Sequence, residues 1–241
     1  MMNRIYIMLK GDFKNISRDL MLLFILISPL IIALVFNFLI PYTENLLEAE
    51  LEFQLAEHHL FILSFIIMLV PMMYGIIISF LIIEEKDENI LSYLFVTPLS
   101  KVEYLLYRTT AAVIMSVLFN IFILYYLNLV EVRLIQSLPV ILLAALNSIL
   151  TVLIIVTFAK NKVEAFAYAK ISGILFLAPL IGYLFESNWR YLAAVFPPFW
   201  ISEAFIGIYS SNANYLFALA AGLVIYSLWI YFLGKYFIKK I

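Results

Sequence analysis

Apolar residues run along this chain in long unbroken blocks, with polar residues confined to the gaps between them. Six blocks stand out, at residues 20–40, 60–83, 105–130, 134–159, 165–185 and 215–237. About 20 residues at 1.5 Å rise cross a hydrocarbon core of roughly 30 Å, so each block is long enough to span a bilayer as a helix. None has the strict alternation of a barrel strand. The first block offers no small-residue cleavage site, since Phe36-Asn37-Phe38 stands where one would fall, and it reads as a retained span. No repeat, low-complexity stretch or soluble domain interrupts the pattern. The prediction is an all-α membrane protein with six transmembrane helices, residues 1–241 forming a single transmembrane domain.

The gaps carry patterns of their own. In residues 1–19, Ile5, Met8, Leu9, Phe13 and Ile16 recur at helical spacing between Arg4, Lys10, Lys14 and Arg18. That pattern predicts an amphipathic helix lying in the headgroup layer, weakened by Gly11. The gap after the first span holds five glutamates and no lysine or arginine, with Leu47, Leu51 and Leu55 every four residues. A short amphipathic surface helix fits it. His58 and His59 are adjacent and therefore point to different sides of a helix, unlike the four-residue spacing of a helical zinc pair. Before the last span, Pro197-Pro198 stops one segment, and residues 199–209 read as an aromatic helix too short to cross. Such a helix is re-entrant or interfacial, and Glu203 on it requires water or a partner.

Composition agrees with the blocks. Mean hydropathy is +1.06 and only 13% of residues are charged, where a soluble domain carries about a quarter. There is no cysteine, which removes disulfides and thiolate metal sites. The net charge of −1 is uninformative, but its distribution is not. Arg4, Lys10, Lys14, Arg18, Lys86, Lys101, Arg108, Lys160, Lys162, Lys170, Lys235, Lys239 and Lys240 fall on one side of the six spans, and only Arg133 and Arg190 on the other. The positive-inside rule then places both termini in the cytoplasm. Arg108 and Lys170 lie about one turn inside their spans, within snorkelling reach of the interface.

The central thirds of the spans contain Asn37, Asn120, Asn147, Ser148 and Thr151 but no Asp, Glu, Lys, Arg or His. A mid-bilayer charge costs roughly 2.5–3.5 kcal/mol on insertion scales and is kept for ion relays and coupling. An ion-coupled carrier or channel would show such charges, or glycine-rich unwound helices. An intramembrane enzyme would show clustered acids, histidines or serines. Neither pattern is present, and no Gly-x-Ser-x-Gly, His-Glu-x-x-His or phosphate-binding loop occurs. A chain of this kind that moves a cargo needs a motor outside itself.

The stretch EEKDENILSYLFVTPLSKVEYLLYR, residues 84–108, is where such a motor could attach. Glu84, Glu85, Asp87 and Glu88, with Lys86 among them, suit the first turn of a helix. Ile90, Leu91, Leu94 and Phe95 form an apolar stripe. Thr97-Pro98 ends that helix, because the residue before proline is pushed out of the α region. Ser100 and Glu103 make a capping box for the next. A loop that only reverses direction needs about four residues. This pattern by itself fits either a docking helix for a cytoplasmic partner or a helix resting on lipid.

Residues Glu85-Lys86-Asp87-Glu88, then Leu91 and Leu94, then Val96-Thr97-Pro98-Leu99-Ser100 and Glu103-Tyr104 resemble the cytoplasmic segment of type-two ATP-binding-cassette (ABC) exporter permeases. The resemblance extends more loosely over the whole chain. It implies an elbow helix at 1–19, a coupling helix within 84–100 and a re-entrant helix at 199–209. It also implies that Glu84, Glu85, Lys86, Asp87, Glu88, Leu91, Leu94, Thr97 and Pro98 dock an ABC ATPase subunit. ATP and Mg would be held by that partner, with no cofactor on this chain. A second permease subunit and membrane lipid complete the implied partners, with no nucleic acid. Location in the cell membrane and export follow on the same grounds. The outer gaps are too small for the elaborated ectodomain of some lipid exporters.

Overall fold

A segment crossing lipid must satisfy its backbone polar groups internally, and the apolar blocks do so as helices. The computed structural model describes residues 20–94, 96, 100–185, 190–210 and 214–240. The elbow-helix expectation at 1–19, and Thr97 and Pro98, lie outside the described residues. In chain order the helices are α1 (Leu20–Leu51), α2 (His59–Asp87), α3 (Ile90–Leu94), α4 (Lys101–Leu127), α5 (Leu134–Phe158), α6 (Lys162–Ile174), α7 (Leu177–Leu184), α8 (Arg190–Ala193), α9 (Pro197–Tyr209) and α10 (Tyr215–Lys240). A 3₁₀ turn, Leu55–His58, joins α1 to α2. No strand occurs among the described residues, and six segments are long and apolar enough to cross a membrane, α6 and α7 together forming the fifth.

Two differences from the sequence reading have local causes. The surface helix expected around Leu47 and Leu51 is not separate: α1 continues through it to Leu51, carrying Pro29 and Pro41 inside. The fifth span, expected as one helix, breaks after Ile174. Pro179 has no N–H to donate to Leu175, whose carbonyl instead accepts from Ala178 N at 3.2 Å, and the helix restarts with proline in its first turn.

Helices α2 and α5 are the centre of the bundle and are mostly buried, whereas α1 and α10 are mostly exposed. Helix α5 packs against α2, α4, α9 and α10. Gly75 of α2 permits a close approach of α5: a Cβ there would stand 2.7 Å from the Ser148 carbonyl oxygen and 2.8 Å from Thr151 Cβ.

The middle of α2 is held by amides from its neighbours. Pro71 cannot donate to the carbonyl four residues back, that of Ile67. Asn120 Nδ2 of α4 donates to that oxygen at 3.1 Å, and Asn147 Nδ2 of α5 donates to the adjacent Met68 oxygen at 3.3 Å. Tyr226 of α10 in turn donates to Asn147 Oδ1 at 3.4 Å. All three side chains are buried. The buried asparagines within the spans, Asn120 and Asn147, are therefore helix-to-helix ties.

Helix α9, with 13 residues, rises about 20 Å and cannot cross. It is re-entrant. Its end sits beside the start of α5, where the Tyr209 and Ser137 hydroxyls share a hydrogen bond of 2.6 Å. The turn leading into it lies far deeper, since Trp229, well along α10, donates its indole N–H to the Val195 carbonyl at 3.2 Å. Trp200 donates likewise to the Ala194 carbonyl at 2.8 Å. Irregular backbone at that depth needs partners for its carbonyls, and two tryptophans supply them. The partner required by Glu203 is Arg190, whose Nη2 donates to Glu203 Oε1 at 2.6 Å.

Candidate functional site

The helix ends sort the charges into two groups. One end of the bundle gathers Glu84, Glu85, Lys101, Arg108, Lys162 and Lys240. The opposite end gathers Glu44, His59, Arg190 and Glu203. At the basic end, Lys240 Nζ donates to the Thr157 carbonyl at 2.6 Å, and Lys101 Nζ reaches the Ile238 carbonyl at 3.5 Å. Both close the last turns of long helices, where cations complement the negative end of the dipole.

The segment between α2 and α4 is built differently from its sequence expectation. Glu84 and Glu85 do not open a new helix; they lie in the last turn of α2, which runs to Asp87. Carboxylates are disfavoured at a helix C-terminus, so they require cations. Glu85 receives Arg108 Nη2 on one carboxylate oxygen and the Tyr104 hydroxyl on the other. Arg108 is only 2% exposed, so it does not snorkel outward as its depth in the sequence implied; it turns inward to Glu85. Glu84 Oε1 takes a different cation, Lys162 Nζ at the start of α6, at 3.1 Å. Two neighbouring acids thus tie α2 to two different helices.

Asn89 ends α2 in the left-handed region, at φ 59°, a conformation asparagine tolerates better than most residues. The five-residue α3 follows. Leu91 is 5% exposed and belongs to the hydrophobic core, and Leu94 packs against that core. Leu91 and Leu94 therefore face the protein's own interior. The outward face is made by Asp87, Glu88, Asn89, Tyr93 at 76% exposure and Val96 at 88%. Ser100 then opens α4 with the expected capping box: Glu103 N donates to Ser100 Oγ at 3.2 Å and Ser100 N to Glu103 Oε2 at 2.8 Å.

Of the residues singled out in sequence, the structure brings Glu84 and Glu85 into ion pairs, Leu91 and Leu94 into the core, and Asp87 and Glu88 to the surface, with Lys86 half-buried between them. The residues that sequence reasoning missed are Tyr104, Arg108 and Lys162. The available signal was a base one turn inside a span, facing a span that ends in acids.

At the opposite end, a cavity of about 260 Å³ is lined by Tyr183, Arg190, Ser202, Glu203 and Ser210 among others. His58 Nδ1 meets the Tyr183 hydroxyl beside it, and His59 lies 3.7 Å from Glu44. No group of three or more metal-ligating side chains occurs among the described residues.

Six spans, a short helix that does not cross and a charged segment braced between the second and third spans define a multi-pass membrane protein, consistent with the type-two ABC permease class, for which the cell membrane is the expected location. Residues 12–234 match the family described as fluoroquinolones export permease protein Rv2686c-like, and the chain belongs to that family. Two curated relatives are the fluoroquinolones export permease proteins Rv2686c and MT2760 of Mycobacterium tuberculosis, strains ATCC 25618 / H37Rv and CDC 1551 / Oshkosh. Each is 26% identical over 199 residues, covering 81% of this chain and 79% of the relative. No solved structure matches the chain. The chain is an export permease, a membrane transport subunit.

Proposed function

We propose that this permease works as a dimer of six-span subunits driven by a separate ATP-binding subunit, which holds ATP and Mg and docks on the segment 84–100. The observation that carries this reading is the outward edge of Asp87, Glu88, Tyr93 and Val96, exposed on a segment whose other side is fixed to the core. A short element with a rigid seat and an exposed acidic and aromatic rim suits a groove with an apolar floor and basic lip. Closure of the ATP-binding subunits would then rock the spans as rigid bodies. The cargo is an amphipathic aromatic compound of the kind named for the two mycobacterial relatives.

The test uses the chain co-expressed with an ABC ATPase subunit that co-purifies with it. Asp87→Lys with Glu88→Lys, or Tyr93→Asp, is expected to release the ATPase while the permease purifies at normal yield. Co-purification at the wild-type ratio would sink the docking assignment. Leu91→Asp is not a docking test, because a charge placed there enters the core. The isolated chain is expected to hydrolyse no ATP above a blank preparation.

A further inference from the structure

The acidic run 84–88 is divided by the end of α2 into residues that face inward and residues that face outward. Glu85 has both carboxylate oxygens engaged by α4, through Tyr104 and Arg108, which lie one helical turn apart on one face. Arg108 is out of reach of any partner protein, and Tyr104 is fully buried. These contacts join the last turn of α2 to the first turns of α4, the two helices from which the segment is hung. Glu84, through Lys162, ties the same turn to α6. Asp87 and Glu88 are exposed one turn further on.

We infer that Glu85, Tyr104 and Arg108 are positioning residues that convert displacement of the segment into movement of α2 and α4 together, and that they do not hold the ATPase. The inference rests on the docking reading above and assigns a second role within the same run. The physical reason is stiffness. Without a clamp at its base, a segment pushed from below would bend or fray at the ends of α2 and α4, and the spans would stay where they are. A largely buried, charge-assisted clamp on both Glu85 carboxylate oxygens makes the two helix ends one body. Charge at Asp87 and Glu88 meets the partner, whereas charge at Glu85 meets only this chain.

The test compares full-length variants with the ATPase in inside-out vesicles, using uptake of a fluoroquinolone as the readout, alongside ATPase retention and hydrolysis. Glu85→Gln is expected to retain the ATPase at the wild-type ratio and to keep basal hydrolysis, while ATP-driven uptake falls about tenfold and cargo no longer stimulates hydrolysis. Tyr104→Phe removes one hydrogen bond and preserves core volume. It is expected to give the same signature in milder form, and it decides the matter if Glu85→Gln does not fold. The exchanged pair Glu85→Arg with Arg108→Glu is expected to regain part of the uptake. Wild-type uptake in Glu85→Gln, or in Tyr104→Phe where that variant decides, overturns the inference, as does loss of the ATPase from a folded variant. Should Asp87→Lys with Glu88→Lys keep the ATPase, the docking assignment fails by itself, and the uptake of Glu85→Gln still judges the clamp.

Discussion

Pro71 and Asn120 show how single residues set this bundle. A proline in the middle of a span leaves the Ile67 carbonyl without its helical donor, in surroundings where water is absent. The Asn120 amide fills that vacancy from α4. Interhelical hydrogen bonds of this type are worth about 0.6 to 2 kcal/mol in membrane proteins. Asn120→Leu is therefore expected to destabilise the detergent-solubilised protein by about 1 kcal/mol in a reversible unfolding titration. Pro71→Ala restores an N–H for Ile67, so in that background Asn120→Leu is expected to cost much less. An equal cost in both backgrounds would refute the pairing of proline with amide. The proline and both asparagines are plain in the sequence, but which carbonyl each amide reaches depends on how α4 and α5 are rotated against α2. Periodicity along one helix does not carry that information.

Between elements, the close seam is α2 on α5. Gly75 faces the Ser148 carbonyl, which is backbone and cannot swing aside, so a methyl group there must push the helices apart. Gly75→Ala is expected to lower stability by about 1–3 kcal/mol, whereas Gly234→Ala, with nothing within 4 Å of the added carbon, is expected to be neutral or slightly stabilising. Matching effects at the two positions would contradict the seam. The existence of the six spans was legible because apolar length alone decides it, and their ends were read to within a few residues except at α1. There the outer gap kept a helical leucine spacing that simply prolonged the span. The short helix before the last span was legible from Pro197-Pro198 and its length. Its depth was not, because that rests on Trp229 reaching back to Val195. The charged segment was legible as a segment but not in its facing. Where α2 stops is set by Asn89 in a left-handed conformation, and a shift of a few residues at that point decides which acids turn in.

For the whole molecule, the remaining question is which end faces the cytoplasm. The bases cluster at the end that carries α3, and the gap after α1 is purely acidic apart from its histidines, so the positive-inside rule predicts that α3 lies in the cytoplasm. That orientation would make the exposed edge of the segment available to the proposed ATPase. The chain has no cysteine, so single cysteines can be introduced without removing native ones. Val96 and Leu51 are exposed at opposite ends, the first just past α3 and the second at the last residue of α1. A membrane-impermeant maleimide is expected to label Leu51→Cys in intact cells and Val96→Cys only after the membrane is inverted or broken. Adding the ATPase before labelling inverted vesicles is expected to slow the reaction at Val96→Cys, since that residue lies on the proposed docking edge. Labelling of Val96→Cys from outside intact cells would reverse the topology and leave the charged segment with no access to ATP.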